Sequence, residues 1–314
     1  DGASSAFSSA GRRDSRRNGV IVVMQCIVID LEWNGSYSKK AHGYFNEIIE
    51  VGAVKLDERM RVIDTFRAAI KPVVSKKLSS IVTDLTNITA EELADGTTFM
   101  AMMRQFSRWM GNEPAVVLTW STTDLLVLME NCRFFMGRQE IPFLRHYMDF
   151  QAYAQLRMGV DTSQQLGLAR AGEMLGIPED NMSLHRALDD SKLTAAILQK
   201  VYEPASFEDA IMPVDDEFYK RITFKTVILK DLDDPLVKRS ELSFNCPQCG
   251  KNMKRKGSWR FRNRAFCAEF SCRCTDTRYS GRVQFKQKYE GVEVRKKLVE
   301  IVPAPPAEDD DQSN

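Results

Sequence analysis

Asp30 and Glu32 stand two residues apart at the end of the apolar run Cys26-Ile27-Val28-Ile29. In an extended strand such residues share a face, so the two carboxylates lie side by side. They repel each other there unless a cation sits between them, and hard oxygen ligands of this kind suit Mg²⁺ or Mn²⁺. An exposed strand end with ordinary surface acids would give the same pair. A further acid, Asp124, opens a helix behind the short apolar strand Ala115 to Thr119. It has a second reading, because Ser121-Thr122-Thr123-Asp124 also fits a capping box in which Asp124 accepts the N-cap amide. The third piece is His185-Arg186-Ala187-Leu188-Asp189-Asp190-Ser191, leading into a helix out to about Tyr202. Asp190 shares a stripe with Leu193, Thr194, Ile197 and Val201, which points it towards the core, whereas Asp189 lines up with Lys192 and Lys200 and points to solvent. Positions five apart on a helix differ by about 140°. That places His185 ahead of the helix, on a loop that can swing over the site. An imidazole there can take a proton from water at neutral pH. A lone histidine is more often structural, yet the chain has only three, His42, His146 and His185.

Five of the seven cysteines, Cys246, Cys249, Cys267, Cys272 and Cys274, crowd one stretch, with Cys26 and Cys132 apart. Such crowding indicates a metal site in a reducing compartment rather than a disulfide framework. Cys246-Pro247-Gln248-Cys249-Gly250 is a knuckle that aims two thiolates at one point, the first half of a structural four-sulfur Zn²⁺ site. For the second half Cys272 and Cys274 are preferred, since they lie just before an extended stretch at Arg282 to Tyr289, with Cys267 as the alternate. Around these ligands Lys254, Arg255, Arg260 and Arg262 interleave with Trp259, Phe261 and Phe266. Cations grip phosphates and aromatic faces stack on unpaired bases, a combination suited to single-stranded nucleic acid. The plainer reading is a solvated basic face.

The elements that would position these groups fall into an order. Apolar extended stretches at Gln25 to Trp33, Glu47 to Leu56 and Arg61 to Ile70 predict a three-stranded meander. Helical spacing follows at Thr89 to Ala94, Thr98 to Gly111 and Thr122 to Phe135, with strands at Ala115 to Thr119 and Tyr147 to Phe150, then mostly helix to Tyr202. Strands first and alternating β and α afterwards describe an α/β fold, a mixed sheet flanked by helices. The expected division is a disordered leader at 1–24, the α/β domain at 25–203, a connector at 204–240 with one strand near Thr223 to Leu229, a basic β-rich zinc-ribbon-like module at 241–302, and a disordered acidic tail at 303–314. The leader is Ser/Arg/Gly-rich, and Met24 is the expected true start. Net charge is +1, so any basic footprint is local. No apolar run approaches the ~20 residues of a membrane span, and the first residues lack a signal-peptide core, which together predict a soluble, cytoplasmic protein.

Taken together, Asp30-x-Glu32, Asp124 and His185-x4-Asp190 resemble, in order and spacing, the DEDDh 3′–5′ exonucleases, which have a ribonuclease H-like fold. The resemblance covers roughly residues 25–203. Glu47 to Val54 looks like the family's second strand, and Leu85-Thr86-Asn87-Ile88-Thr89 is similar to its Leu-Thr-Gly-Ile-Thr turn, with Asn87 in place of the common glycine. Within that family the sequence resembles the KapD-like and Eri-type exoribonucleases of the RNA-processing branch. The resemblance implies two Mg²⁺ or Mn²⁺ ions clamping an in-line displacement, with Asp30 bridging both, Glu32 and Asp190 completing the coordination of the first ion, Asp124 holding the second ion partly through water, and His185 as base. It also implies contacts from the backbone near Leu31 and the side chain of Glu32 to the terminal 3′-hydroxyl, with Trp33 placed to stack on the last base or to serve as a core tryptophan. The products would be 5′-mononucleotides, from RNA in preference to DNA. The competing readings are a DNA exonuclease of proofreading type and a catalytically silent RNA-binding protein. The second is disfavoured because a binder would have no need to keep so much negative charge beside a polyanion.

Overall fold

The computed structural model describes residues 25–75, 77–161, 164–178 and 185–301. The expected leader and acidic tail lie outside the described residues. The chain divides into two compact units, residues 1–222 and 223–314.

The first unit opens with a long antiparallel hairpin, β1 (Gln25–Ser38) and β2 (Gly43–Leu56), joined by β3 (Val62–Ala69). Both hairpin strands run further than the apolar stretches predict, because pairing continues through the polar segment from Asn34↔Glu47 to Ser38↔Gly43. Next come α1 (Ser80–Thr86), α2 (Ala90–Ala94), α3 (Phe99–Met110), β4 (Ala115–Thr119), α4 (Thr122–Met136), β5 (His146–Asp149), α5 (Phe150–Met158), α6 (Leu168–Met174) and α7 (Ala187–Val201). The unit closes with α8 (Pro204–Ala210), β6 (Met212–Pro213) and α9 (Asp216–Thr223). The sheet order is β3-β2-β1-β4-β5-β6. β4 runs parallel to β1 and β5 parallel to β4, the rest antiparallel, which is the expected mixed sheet.

Alternation along β1 assigns its residues to two cores. Ile27, Ile29 and Leu31 face α3, α4 and α9, whereas Cys26 and Val28 face α5, α7 and α8. Asp30 and Glu32 continue the second series, so the carboxylates emerge on the face that α7 covers.

The segment expected to be a connector is divided. Phe207 of α8 packs in one core of the first unit and Phe218 and Tyr219 of α9 in the other. Leu229 and Val237 are buried in the core of the second unit. The slight acidic excess that marks this stretch as a linker lies on exposed faces, while its few aromatic and aliphatic residues dock.

The second unit is a sheet of β8 (Lys254–Arg262), β9 (Ala265–Ser271), β10 (Arg278–Lys288) and β11 (Gly291–Glu300), in the order β11-β10-β9-β8, with β7 (Val227–Ile228) paired to β10. The β10–β11 hairpin is the one expected. The β8–β9 hairpin is not legible as strands: β8 is a cation-rich edge strand with a register shift between Lys256 and Arg260. Its turn, Asn263-Arg264, has both residues at positive φ, as a two-residue hairpin turn requires.

Candidate active site

The site is built where β1 outruns its parallel neighbour. The β1–β4 pairing ends at Val28↔Leu118, so Asp30 and Glu32 lie beyond it, at the strand end where a cleft can form. Across the hairpin Asp30 faces Gly52 and Glu32 faces Glu50. The register then shifts between Glu32 and Trp33, a bulge of the kind that re-aims side chains beside active sites.

Gly52 decides how close α7 comes. A Cβ there would lie 2.0 Å from the Leu188 amide nitrogen and 2.1 Å from the Ala187 carbonyl carbon, so the first turn of α7 rests directly on the strand. Ser191 Oγ donates to the Gly52 carbonyl at 3.0 Å. This approach carries Asp190 to β1: carboxylate oxygens of Asp30, Glu32 and Asp190 all lie within 4.8 Å of one another. Asp189 turns away and pairs with Lys192 at 2.9 Å, as the helical stripe predicts.

Asp124 stands beside this cluster, 7% exposed. The capping reading of its segment holds only in part. Ser121 is the N-cap of α4 and accepts from the Thr123 amide, while Asp124 Oδ1 accepts from the Leu31 amide at 3.3 Å. Asp124 is thus fastened to the strand that carries Asp30. The same bond engages the Leu31 N–H, part of the backbone that the family resemblance places near a terminal 3′-hydroxyl.

Three of these carboxylates, on Asp30, Glu32 and Asp124, resist ionisation. Burial, then the charges of Asp124, Asp190, Glu32 and Glu50, hold Asp30 well above the usual carboxylate range. Burial, followed by Asp190, Glu50 and Asp124, pushes Glu32 to about 8. Burial pushes Asp124 to about 7 against the bonds from backbone amides. Concentrated anionic oxygen of this kind is what a hard divalent cation offsets, so the donor set fits Mg²⁺ or Mn²⁺.

His185 sits on the cleft rim, exposed, with φ 65°. The next residue anchors it. Arg186 binds both oxygens of Glu50, at 3.1 and 2.8 Å, and Glu92 at 2.6 Å. Glu50, 1% exposed, also accepts from Arg67 at 2.7 Å and from the Ala187 amide at 3.2 Å. A buried carboxylate with these partners caps α7 and ties it to β2. Sequence reasoning passed over Glu50, Gly52 and Arg186, although all three lie inside stretches it singled out.

The cleft above the carboxylates has a volume of about 760 Å³. Trp33, Trp120, His185 and Arg170 line it, as does α1 through Ile81 and Leu85. Ile81 is 75% exposed and Leu85 48%, so one wall offers apolar surface to a ligand. Trp33 is half-buried and packs on the first core as well. The turn after α1 keeps Asn87 at φ 57°, the left-handed conformation for which a glycine or asparagine is suited.

In the second unit Cys246, Cys249, Cys272 and Cys274 bring their sulfurs within 4.8 Å of one another. Neighbouring sulfurs are 3.3 to 3.5 Å apart, close to the roughly 3.8 Å expected for a tetrahedron of 2.3 Å Zn–S bonds. The amides of Cys249 and Gln248 help draw the Cys246 thiol down to about 7. Cys267 lies elsewhere, on β9 between Arg260 and Arg282. Of the basic and aromatic residues expected to grip single strands, Lys254, Arg255, Arg260 and Arg262 are exposed. Trp259 and Phe261 instead turn inward, onto Phe270 at 5.6 Å and Phe266 at 5.2 Å. Alternation along β8 explains the difference for Lys254, Arg260 and Arg262, because interleaving in sequence becomes opposite faces in a strand, whereas Arg255 pairs with Phe270 and lies 5.9 Å from the centroid of the Trp259 ring.

A mixed sheet that gathers four acids and a rim histidine at the end of its central strand defines a carboxylate-based phosphodiester hydrolase. The family model described as Exonuclease (RNase T type) matches residues 27–198. The chain is 30% identical over 181 residues, 56% of its length and 83% of the relative's, to a probable 3′-5′ exonuclease KapD of Bacillus subtilis. It is 29% identical over 201 residues to mouse ERI1 exoribonuclease 2, covering 56% of this chain and 28% of that one. It is 27% identical over 214 residues to a PolC-type DNA polymerase III of Clostridium perfringens, covering 65% of this chain and 13% of that one. Among solved structures, the nuclease domain of 3′hExo, a DEDDh family member bound to rAMP, matches with TM-score 0.50 and 24% identity, over 58% of this chain and 93% of that one. The chain belongs to the DEDDh superfamily of metal-dependent 3′–5′ exonucleases. No helix among the described residues is long and apolar enough to cross a membrane.

Proposed function

We propose that this chain shortens single-stranded RNA from the 3′ end, releasing 5′-mononucleotides, with Asp30, Glu32, Asp124 and Asp190 as its metal-holding acids and His185 as its base. The observation that carries this reading is the convergence of Asp30, Glu32 and Asp190 within 4.8 Å, with Asp124 fastened beside them and His185 on the cleft rim. Two Mg²⁺ or Mn²⁺ ions held by these carboxylates would polarise the scissile phosphate and acidify the attacking water.

The chain's own groups do the remaining work. His185 accepts the proton of the water whose oxygen attacks phosphorus. The P–O3′ bond breaks, the departing 3′-oxygen takes up a proton from solvent to become the 3′-hydroxyl of the shortened strand, and the phosphate leaves on the 5′ carbon of the released nucleotide. Trp33 supplies a ring on which the last base stacks, a contact worth about 1–3 kcal/mol, and Ile81 and Leu85 supply an apolar wall beside it. Glu50, through Arg186, holds His185 and Asp190 in register. The preference for RNA is supported by the exoribonuclease name of the mouse relative. DNA polymerases stand among the relatives too, so DNA is the control substrate.

The test is a time course on 3′- and 5′-labelled single-stranded RNA and DNA with Mg²⁺ or Mn²⁺, comparing wild type with Asp30→Ala. Stepwise shortening from the 3′ end, faster on RNA and absent in the variant, is the expected result. Equal rates on both polymers would remove the RNA preference, and activity retained in Asp30→Ala would remove the assigned site.

For the second unit we propose a structural Zn²⁺ on Cys246, Cys249, Cys272 and Cys274. Elemental analysis should find one zinc per chain in wild type and in Cys267→Ser. Cys274→Ser should lose the metal, together with much of this unit's fold. Zinc lost from Cys267→Ser would reassign the ligands.

A further inference from the structure

The sheet of the second unit has one face on its core and one turned away. Cross-strand partners share a face, so the register reads out the second face directly. Arg260 on β8 pairs with Cys267 on β9, Cys267 with Arg282 on β10, and Arg282 with Lys297 on β11. Neighbouring rows add Lys256 opposite Glu269 and Lys254 opposite Ser271. Each of the named cations is without an ion pair among the described residues. The acids on this face are engaged, Glu269 by Arg278 at 3.6 Å and Glu293 by Lys288 and Arg295.

The aromatic residues of these strands lie on the other side. Trp259, Phe261, Phe266, Phe270, Tyr279 and Phe285 all belong to the core. The outward face therefore carries cations with no ring on which a base could stack. Sequence-independent binding of single strands draws much of its energy from stacking platforms, which are missing here. What remains is phosphate neutralisation, and a duplex presents one charge per ~1.7 Å of axis against ~3.4 Å for each of its strands. The array is also broad rather than linear: three inter-strand steps of about 4.8 Å separate Arg260 from Lys297 by about 14 Å, room for two backbones.

We propose that this face docks the paired sugar–phosphate backbones of a nucleic-acid duplex, independently of base sequence. This rests on the reading of the chain as an enzyme of nucleic acids, but hydrolysis plays no part in its test. The experiment uses the full chain with Asp30→Asn, without added Mg²⁺ or Mn²⁺, and ligands that have no 3′ end to enter the cleft. These are a closed dumbbell duplex and a circular single strand of equal nucleotide number, each made as RNA and as DNA.

The dumbbells should bind several-fold more tightly than the circles, with RNA and DNA dumbbells alike within a few-fold. Their affinity should fall with salt at a log–log slope of about −4 to −5, as neutralising five or so phosphates implies. Adding Arg260→Glu, Arg282→Glu and Lys297→Glu together should weaken dumbbell binding at least about tenfold and flatten the slope by about 3. Cys267, half-buried in the middle of the row, reports location without any charge change. Alkylation of Cys267, followed by peptide mass spectrometry, should slow when the dumbbell is bound, which keeps the proposal testable if the triple variant fails to fold. Circles binding as well as dumbbells, no dumbbell binding at 50 mM salt (about 14 Å of Debye screening), unchanged affinity in a folded triple variant, or an unprotected Cys267 would each overturn it.

Discussion

Asp30→Asn is expected to abolish turnover while making the metal-free protein more stable. The catalytic loss follows from removing one of the charges that hold the metal ions, which contribute several kcal/mol to the transition state, or about 10³-fold or more in kcat. The stability gain follows from the same charge. Asp30 is desolvated and faces Asp124, Asp190, Glu32 and Glu50, so an isosteric neutral amide relieves repulsion that the folded state otherwise carries. Relief of a strained active site typically yields on the order of 1–2 kcal/mol, or about 3–6 °C in melting temperature for a domain of this size.

The pH dependence gives this prediction its sign. Asp30, Glu32 and Asp124 titrate higher in the folded chain than in the unfolded one, Asp124 near 7 and Glu32 near 8. Between the unfolded values near ~4 and these, the native state binds more protons, so the stability of metal-free wild type falls as pH rises through that window. Below about pH 4 the carboxyls are protonated in both states, and wild type and Asp30→Asn should melt together. At pH 8 they should differ most, and Mg²⁺ or Mn²⁺ should close the gap by stabilising wild type alone. Thermal melts of both proteins at pH 4, 6 and 8, with and without metal, read all three effects. A wild type that melts higher than the variant in metal-free buffer at pH 8 would show that the acids are not held in mutual repulsion.

Gly52→Ala is expected to cost about 10²-fold in activity although Gly52 touches no substrate. Its new Cβ would meet backbone atoms of Leu188 and Ala187 at 2.0 to 2.3 Å, and backbone cannot swing aside as a side-chain tip can. The first turn of α7 must lift, taking Asp190 and His185 away from Asp30. A displacement of ~1 Å at a reacting geometry costs about that much rate, and overpacking of this kind costs about 1–3 kcal/mol of stability. The loss should appear in kcat and in metal affinity, with a melting point lowered but a transition still cooperative. Full activity in Gly52→Ala would mean that α7 can give way without disturbing the carboxylates. Gly52→Ser should behave as badly, since its Cβ meets the same atoms.

Much of the site was legible before the fold. Asp30 and Glu32 declare themselves because strand alternation is local: two residues apart on one strand is one face in any sheet. Asp190 declares itself because helix periodicity separates it from Asp189. The α/β order followed from apolar periodicity, which set elements such as Ala115–Thr119 to within a residue or two but missed the polar extensions of β1 and β2. Other residues had no local signature. Glu50 reads as one more polar position in a strand until Arg67 and Arg186 are brought to it from 17 and 136 residues away. Gly52 reads as a weak spot in a strand until a helix is laid on it.

The second unit draws the same line more sharply. Sequence by itself determined that cysteines, cations and aromatic rings share one stretch, since composition is a property of the chain. Only the tertiary structure decided that Cys267 stands apart from the other four cysteines of that stretch, that the rings face the core, and that the cations of three strands share the opposite side. The reason is physical: periodicity encodes what one element does with its own two faces, while which distant element meets each face depends on strand register and helix docking, set by the whole hydrophobic core at once.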